Sequence, residues 1–375
     1  MRETLILMFV AAIAASPAWA QTSQPADDAA GIYLRAAKLI RDDDARNIMS
    51  PSASNLNYRG YPPMSDEWLQ MEKQDYEPHG QVREMVHQAA SMTQAAWPAF
   101  HRQNISYLNE CRNLANEIVD AATYQSLILK DQPAAFESAG DVLHLAELLK
   151  YQPGENLVRL LVAQGIEALD MYHLMVMVSE ATITADAGDT QDLQLSTAKD
   201  WIARLLDYPD AQAEFDHVMK NEPAGSANNL ILKPTLDRIL ETIHRVQIER
   251  DMTAMALAAH VYQFKHGNWP GSLEDLATEL PNVPVDPWGD GKQTLGYVLI
   301  KGGLPDGTDR PLVYSRFRSN DGLFIRTDEP EYGFYNSAGS KSATAQQKQG
   351  GQFRDVARWT PADHNEAPAT TEPLP

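Results

Sequence analysis

Cysteine is almost absent from this 375-residue chain, which contains only Cys111. One cysteine cannot form a disulfide within the chain, so a disulfide-stabilised framework is excluded. Cys111 lies in a segment with helical periodicity, NISYLNECRNLANEIVDAA, and the sequence offers it no His with a third orienting group. We therefore predict a buried, inert thiol rather than a nucleophile.

Positive charge is also scarce. Lys and Arg number 31 against 51 Asp and Glu, and the formal net charge is −20 at pH 7. Such a chain repels phosphate backbones and anionic headgroups, so nucleic acids and anionic membranes are disfavoured as partners. The simplest interpretation of the acidic balance is solubility.

Long apolar runs are missing after the N-terminal segment. The longest candidate, MYHLMVMV at 171–178, falls short of the roughly 18 residues of a membrane span. Residues 1–20 combine a basic Arg2, the mostly apolar segment Leu5–Ala15 and a small-x-small site that ends at Ala20. We predict a signal peptide at 1–20 and a mature chain without a transmembrane segment. The protein is then expected to be periplasmic or extracellular.

Helical periodicity dominates residues 27–225. The apolar positions Tyr33, Ala36, Ala37 and Ile40 mark the first helix. Because no fixed repeat appears, we predict an irregular helical domain rather than a solenoid. A Pro-, Asn- and Tyr-rich connection is predicted at 50–79, and further helices at 82–96, 105–129, 134–150, 155–180 and around 201–206.

A long helix at about 229–266 opens a different pattern, which spans residues 226–335. Gly267 is the predicted C-terminal stop of this helix, and Ser272 with Asp275 begins a short helix. Short β-type runs follow at 296–300, 311–315 and 322–326, and residues 336–375 are predicted to be a low-complexity loop and a disordered tail.

The long helix is expected to serve both domains. Its first half should pack on the helical domain, and its second half should cover the small sheet with Leu257, Val261 and Phe264. Gln247 and Arg250 interrupt the apolar stripe, and we expect the contacts to change over there.

The order of motifs after residue 235 resembles a known family. The pattern Y-x-x-x-H-G-x-W-P-x-S-L-x-D-L, then P-x-D-P-W-G, then short strands, is similar to the soluble C-terminal region of the type II secretion major pseudopilin. The whole chain looks like secreted bacterial proteins that carry this domain. The matched structural positions include Gly267, Pro270, Leu273, Asp286, Pro287, Trp288 and Tyr314.

Helical periodicity predicts a mainly α chain with an irregular helical domain. The resemblance implies that a small α+β domain follows it, with a long helix packed on a short antiparallel sheet. Pseudopilins carry a peptidase cleavage motif before an apolar anchoring helix. Here the segment NEPAGSANNLILKPTLD is polar and has no such helix, so the chain is not expected to assemble as a standard pseudopilus subunit.

A calcium site in the C-terminal loop is also implied by the resemblance alone. Asp321 matches the family's loop, while Asp328 and Glu329 are candidate ligands by proximity. Calcium binding needs several oxygen ligands, so these residues form a candidate set.

The helical domain offers an alternative metal site. Glu-x-x-His occurs at Glu84/His87, Glu214/His217 and Glu241/His244, and di-metal bundles use this spacing from two helices. Two pairs, Glu84/His87 and Glu241/His244, lie off the apolar stripes of their helices, which is typical of a solvent-facing helix surface.

Common catalytic motifs are missing from the chain: Gly-x-Ser-x-Gly, the Walker loop, His-Glu-x-x-His and Cys-x-x-Cys do not occur. We therefore predict a non-enzymatic secreted protein that acts through protein–protein contacts, with envelope or secretion-system proteins as partners and no cofactor. The alternative is a metal-binding protein or enzyme that uses the Glu-x-x-His pairs.

Overall fold

A computed structural model describes residues 28–46, 66–98, 105–150, 157–187, 191–221, 233–286, 293–302 and 309–315 of the protein. The helices are α1 (Ala29–Arg46), α2 (Asp66–Tyr76), α3 (Gly80–Ala90), α4 (Ser106–Tyr124), α5 (Gln132–Lys150), α6 (Leu157–Ser179), α7 (Leu195–Leu206), α8 (Ala211–Asn221), α9 (Lys233–His266) and α10 (Leu273–Ala277). The strands are β1 (Ile183–Thr184), β2 (Leu193–Gln194), β3 (Gly296–Ile300) and β4 (Arg310–Tyr314). The described chain is thus mainly helical, as predicted, and it has two small strand pairs, of which the parallel pair β1 and β2 was not predicted.

The first hydrophobic core lies among α1, α3, α4, α5 and α6. The predicted stripe of α1 is confirmed, because Tyr33, Ala36, Ala37 and Ile40 are all buried. Helix α4 continues into a π-helical turn at Gln125–Leu129. Helices α5 and α6 pack against each other and against α4, so the helical region has a continuous interior.

Two helices lie where the sequence analysis placed none. The predicted connection at 50–79 contains α2. Prolines lie on both sides of this helix in the sequence, and they led to the prediction of an irregular connection over the whole stretch. Helix α8 begins at Ala211, and Asp210 Oδ1 accepts hydrogen bonds from the backbone N–H groups of Gln212 (2.9 Å) and Ala213 (3.1 Å). This side-chain cap was a readable signal for a helix start.

The helix predicted at 82–96 is shorter than expected. Helix α3 ends at Ala90, and the chain that follows is irregular. Ala95 and Trp97 are nevertheless buried, and Trp97 Nε1 donates to the carbonyl oxygen of Leu148 at 2.9 Å. Tertiary contacts of this irregular segment therefore override its helical periodicity.

Helix α9 joins the helical region to the small sheet. All residues from Asp251 to Val261 are buried, so this stretch has neighbours on every side. One hydrophobic cluster contains residues of α5, α6, α7, α9, α10, β3 and β4. Gln247 and Arg250, the polar residues that interrupt the apolar stripe, are buried too, and they bond to Pro209, Leu205 and Glu167 of the helical region.

The prediction that Phe264 covers the small sheet together with Leu257 and Val261 is wrong. Leu257 and Val261 are fully buried, but the Phe264 side chain is 41% exposed. Burial along α9 stops before its last turn, where Lys265 and His266 are exposed as well. The helix therefore extends beyond the layer that covers it.

The segment after α9 follows the predicted order of turn, short helix and strands. Gly267 has the left-handed φ of 74° expected at a helix end, and Ser272 Oγ accepts a hydrogen bond from the Asp275 N–H at 3.2 Å. Strands β3 and β4 are antiparallel, with Gly296 opposite Tyr314. The predicted run at 322–326 lies outside the described residues.

Candidate functional site

A cleft of about 210 Å³ opens between α3, α5 and α7. Its walls come from segments that are far apart in the sequence. The lining residues are Ala90, Phe136, Glu137, Gly140, Asp141, His144, Trp201 and Arg204. A concave site with several titratable side chains is the natural first candidate for a functional site.

The apolar wall of the cleft depends on a glycine. The rings of Phe136 and Trp201 meet edge to face, with 5.6 Å between centroids. A Cβ atom at Gly140 would lie 2.9 Å from Arg204 Nη1 and 3.3 Å from Trp201 Cζ2. Because position 140 has no side chain, Arg204 and Trp201 can approach α5 closely.

The Arg204 guanidinium is held by the protein itself. Its Nη2 donates to the carbonyl oxygen of Gly140 at 3.0 Å and lies 3.8 Å from Glu147 Oε2. The guanidinium also lies over the Trp201 ring, 5.4 Å from the centroid. These contacts fix Arg204 as part of the wall.

Two carboxylates that line the cleft, those of Glu137 and Asp141, are contacted by the imidazole of His87. His87 Nδ1 lies 3.2 Å from Asp141 Oδ2, and His87 Nε2 lies 3.7 Å from Glu137 Oε1. The side chains of Glu137 and His87 are 62% and 58% exposed, whereas that of Asp141 is 13% exposed. Burial raises the pKa of Asp141 to about 6, although the contact with His87 opposes this shift.

His144 lies on the same face of α5, and each of its ring nitrogens has a partner. Its Nε2 lies 2.7 Å from the Met92 carbonyl oxygen, which can only accept, and its Nδ1 lies 3.4 Å from Glu147 Oε2. The hydrogen bond to Glu147 is the main reason why the pKa of His144 is raised. The polar positions 137, 141 and 144, spaced i, i+4 and i+7, were a signal that the sequence analysis missed.

A buried charge network lies deeper, where α5, α6, α8 and α9 meet. Lys150 Nζ is 2.5 Å from Glu167 Oε2 and 3.0 Å from Glu214 Oε1. Arg250 Nη1 is 3.4 Å from Glu167 Oε1. These buried ion pairs join residues of four helices, and removal of one partner would leave a buried charge unpaired.

A second buried group brings histidines and carboxylates together between α2, α4 and α6. His79 Nδ1 lies 2.5 Å from Glu117 Oε1, and His173 Nε2 lies 4.0 Å from Asp120 Oδ1. Burial lowers the pKa of His173 to about 3. Burial, and then the neighbouring carboxylates of Asp120 and Glu117, raise the pKa of Glu72 well above its usual value.

The tautomer of His173 follows from Thr123. The Thr123 hydroxyl donates to the Val119 carbonyl oxygen at 2.9 Å and lies 2.7 Å from His173 Nδ1. The hydroxyl has a single proton, so His173 Nδ1 must be the donor in the second bond. The neutral ring then presents the lone pair of Nε2 towards Asp120.

The Glu-x-x-His pairs occupy unrelated surroundings. Glu84 and His87 are exposed on α3, as predicted, and His87 contacts α5. Glu214 is buried against Lys150, while His217 is exposed. Glu241 and His244 are half-buried on α9. Within the described ranges, no group of three or more His, Cys, Asp or Glu side chains is arranged to hold a metal ion.

The predicted structural motif has clear packing roles in the described residues. Tyr297 Oη donates to the Pro270 carbonyl oxygen at 2.8 Å, and Ser315 Oγ donates to Asp286 Oδ2 at 2.6 Å. Leu273 packs against the core, and Tyr314 is buried. Pro287 and Trp288, and the candidate calcium ligands Asp321, Asp328 and Glu329, lie outside the described residues.

Cys111 is buried, as predicted, and burial raises its thiol pKa above the usual value. The thiolate form is therefore strongly disfavoured, and the Cys111 thiol is unsuited to act as a nucleophile. Of the described helices, α6 has the length and composition to cross a membrane, and 67% of its apolar window is buried in the protein interior.

Comparisons of the chain with protein-family models, curated proteins and solved structures find no match.

Proposed function

We propose that this is a non-enzymatic protein of the periplasm or the extracellular space, which acts through contacts with other proteins. Its partners in this proposal are components of a type II secretion-like or cell-envelope assembly. The N-terminal segment 1–20 and the pseudopilin-like motif order support this assignment.

The observation that carries the proposal is a set of exposed apolar side chains on the segment after α9 and at the end of that helix. Phe264 is 41% exposed, Val285 is 47% exposed and Val298 is 38% exposed. Exposed apolar side chains form a protein contact site where they lie next to one another, and in this proposal the three residues are the part of the surface that binds the partner. Their location on the pseudopilin-like segment links the contact to an envelope assembly.

A pull-down from the envelope fraction with the tagged mature chain tests this proposal. The variant Val298→Glu places a charge on the solvent face of β3 and should lose the envelope partners of the parent protein. The matched variant Ile128→Glu changes another exposed apolar side chain, 43% exposed in the π-helical turn, and should retain them.

The proposal is rejected if the parent chain recovers no envelope protein, or if both variants recover the same partners as the parent. Mass spectrometry of the exported protein provides a separate test of its location, because the mature chain should begin at Gln21. A chain that retains Met1 and stays in the cytoplasm would contradict it.

A further inference from the structure

Two hydrogen-bond acceptors face each other in the interior of the helical region. His173 Nδ1 donates to the Thr123 hydroxyl at 2.7 Å, so the lone pair of the neutral ring is on Nε2. That Nε2 atom lies 4.0 Å from Asp120 Oδ1, and both side chains are almost completely buried. His173 Nε2 has no hydrogen-bond partner in the described part of the protein. A positive charge placed between a lone pair and a carboxylate would be stabilised by both of them.

Glu72 of α2 brings a further oxygen donor to the same place. The residue is 1% exposed, and its Oε1 has no hydrogen-bond partner among the described residues. Burial, and then the carboxylates of Asp120 and Glu117, raise the pKa of Glu72, so the three acidic groups are close enough to repel one another. The Arg83 guanidinium opposes this shift, but it already donates to the Tyr76 carbonyl oxygen at 2.6 Å. A buried acid in these surroundings needs a proton or a cation to offset its charge.

The side chains around these donors are held in place by hydrogen bonds. The Thr123 hydroxyl donates to the Val119 carbonyl oxygen at 2.9 Å and thereby fixes the orientation of the His173 ring. Glu117 is three residues before Asp120 on α4, and its Oε1 lies 2.5 Å from His79 Nδ1. A histidine that binds a metal ion through one nitrogen is normally oriented in this way through the other.

We propose that His173, Asp120 and Glu72 bind a divalent transition-metal ion of the zinc type between α2, α4 and α6. One imidazole nitrogen and two carboxylates are ligands that zinc accepts, at about 2.0–2.2 Å each, so the 4.0 Å between His173 Nε2 and Asp120 Oδ1 can admit the ion. The described arrangement does not bring three donors to one point, and rotation of the Glu72 side chain supplies the third ligand. This inference is independent of the proposed function, because an ion that joins three helices is compatible with any contact at the surface.

Isothermal titration calorimetry of the tag-free chain with zinc chloride tests the inference. The parent should bind zinc at one strong site. Glu72→Gln keeps the shape of the side chain but removes its charge, and Thr123→Val removes the hydroxyl that orients His173. Glu72→Gln should bind zinc about a hundredfold more weakly than the parent, and Thr123→Val about tenfold more weakly.

The control variant is Glu84→Gln/His87→Gln, which changes an exposed Glu-x-x-His pair on α3. Its zinc affinity should stay within about twofold of the parent, because surface sites contribute little to tight binding. Circular dichroism identifies variants that do not fold, and Thr123→Val decides the question if Glu72→Gln is one of them. Zinc should also raise the melting temperature of the parent more than that of the folded variants.

The inference is overturned if the parent binds no zinc, or if the folded Glu72→Gln and Thr123→Val variants bind zinc as tightly as the parent does. It is also overturned if Glu84→Gln/His87→Gln loses as much affinity as Glu72→Gln, since zinc would then bind at the surface.

Discussion

Lys150 Nζ lies 2.5 Å from Glu167 Oε2, and both side chains are almost completely buried. Lys150→Met should remove the cation that Glu167 and Glu214 share and leave their carboxylates in the interior. Because a buried charge without its partner is strongly destabilising, we expect the free energy of unfolding to fall by about 3–5 kcal/mol. Urea unfolding followed by circular dichroism measures this change.

The control for this experiment is Lys301→Met. Lys301 pairs with Asp309 at 2.7 Å, but its side chain is 76% exposed. An exposed pair of this kind contributes less than about 1 kcal/mol, so this variant should unfold nearly as the parent does. Equal losses for the two variants would contradict the structural role given to the buried network.

Asp141 should make the stability of the protein depend on pH. Burial raises its pKa from 3.8 to about 6, so between these values the folded protein keeps a proton that the unfolded chain releases. The stability contributed by Asp141 therefore falls as the pH rises from about 4 to about 6. The asparagine of Asp141→Asn does not titrate. The stability of this variant relative to the parent should therefore increase by about 2–3 kcal/mol as the pH rises from about 4 to about 6.

Urea unfolding at pH 4 and at pH 6.5 measures that difference. The exposed Asp216 provides a control, because Asp216→Asn should keep the same stability relative to the parent at both pH values. If Asp141→Asn behaves in the same way as this control, Asp141 titrates in the folded protein as an ordinary carboxyl group.

Two glycines should respond to alanine in opposite directions. A Cβ atom at Gly296 would lie 2.4 Å from Tyr314 Cζ, and Tyr314 is buried, so Gly296→Ala should destabilise the protein by about 1–3 kcal/mol. Gly165 is exposed on α6 with nothing within 4 Å of its added Cβ. Gly165→Ala should therefore stabilise the protein by up to about 1 kcal/mol. Thermal unfolding of both variants checks the two signs.

Two apolar residues on one stripe of α9 should differ in their contribution to stability. Leu257 is fully buried, and Leu257→Ala should cost about 2–5 kcal/mol. Phe264 is 41% exposed, so Phe264→Ala should cost less than about 1 kcal/mol despite the larger side chain. Equal losses in urea unfolding would mean that the end of α9 is covered in solution.

Local patterns predicted the helices whose apolar faces are buried against their neighbours. Tyr33 and Ile40 lie on such a face, and the left-handed Gly267 ends α9 where the sequence indicated. Phe264 has the same periodicity as Leu257, but periodicity does not tell where a covering layer ends. The exposure of Phe264 therefore had to come from the structure.

The candidate site was harder to predict because it depends on contacts between distant segments. His87 meets Asp141 across 54 positions of the chain, and Arg250 meets Glu167 across 83. Nothing in the local pattern around Arg250 reveals that the residue is buried among such partners. The Glu-x-x-His spacing drew attention to Glu214 as a metal ligand, whereas its carboxylate pairs with Lys150.

Arg204 also has a mechanical role between two regions of the molecule. Its side chain lies in the cleft, while its main-chain carbonyl oxygen accepts a hydrogen bond of 3.0 Å from Arg250 Nη2 of α9. The adjacent Leu205 carbonyl oxygen accepts from Arg250 Nε at 3.2 Å. A displacement of α9 along its axis must either break these two bonds or pull the end of α7 with it. Tension applied to the small sheet through α9 would thus be transmitted to one wall of the cleft.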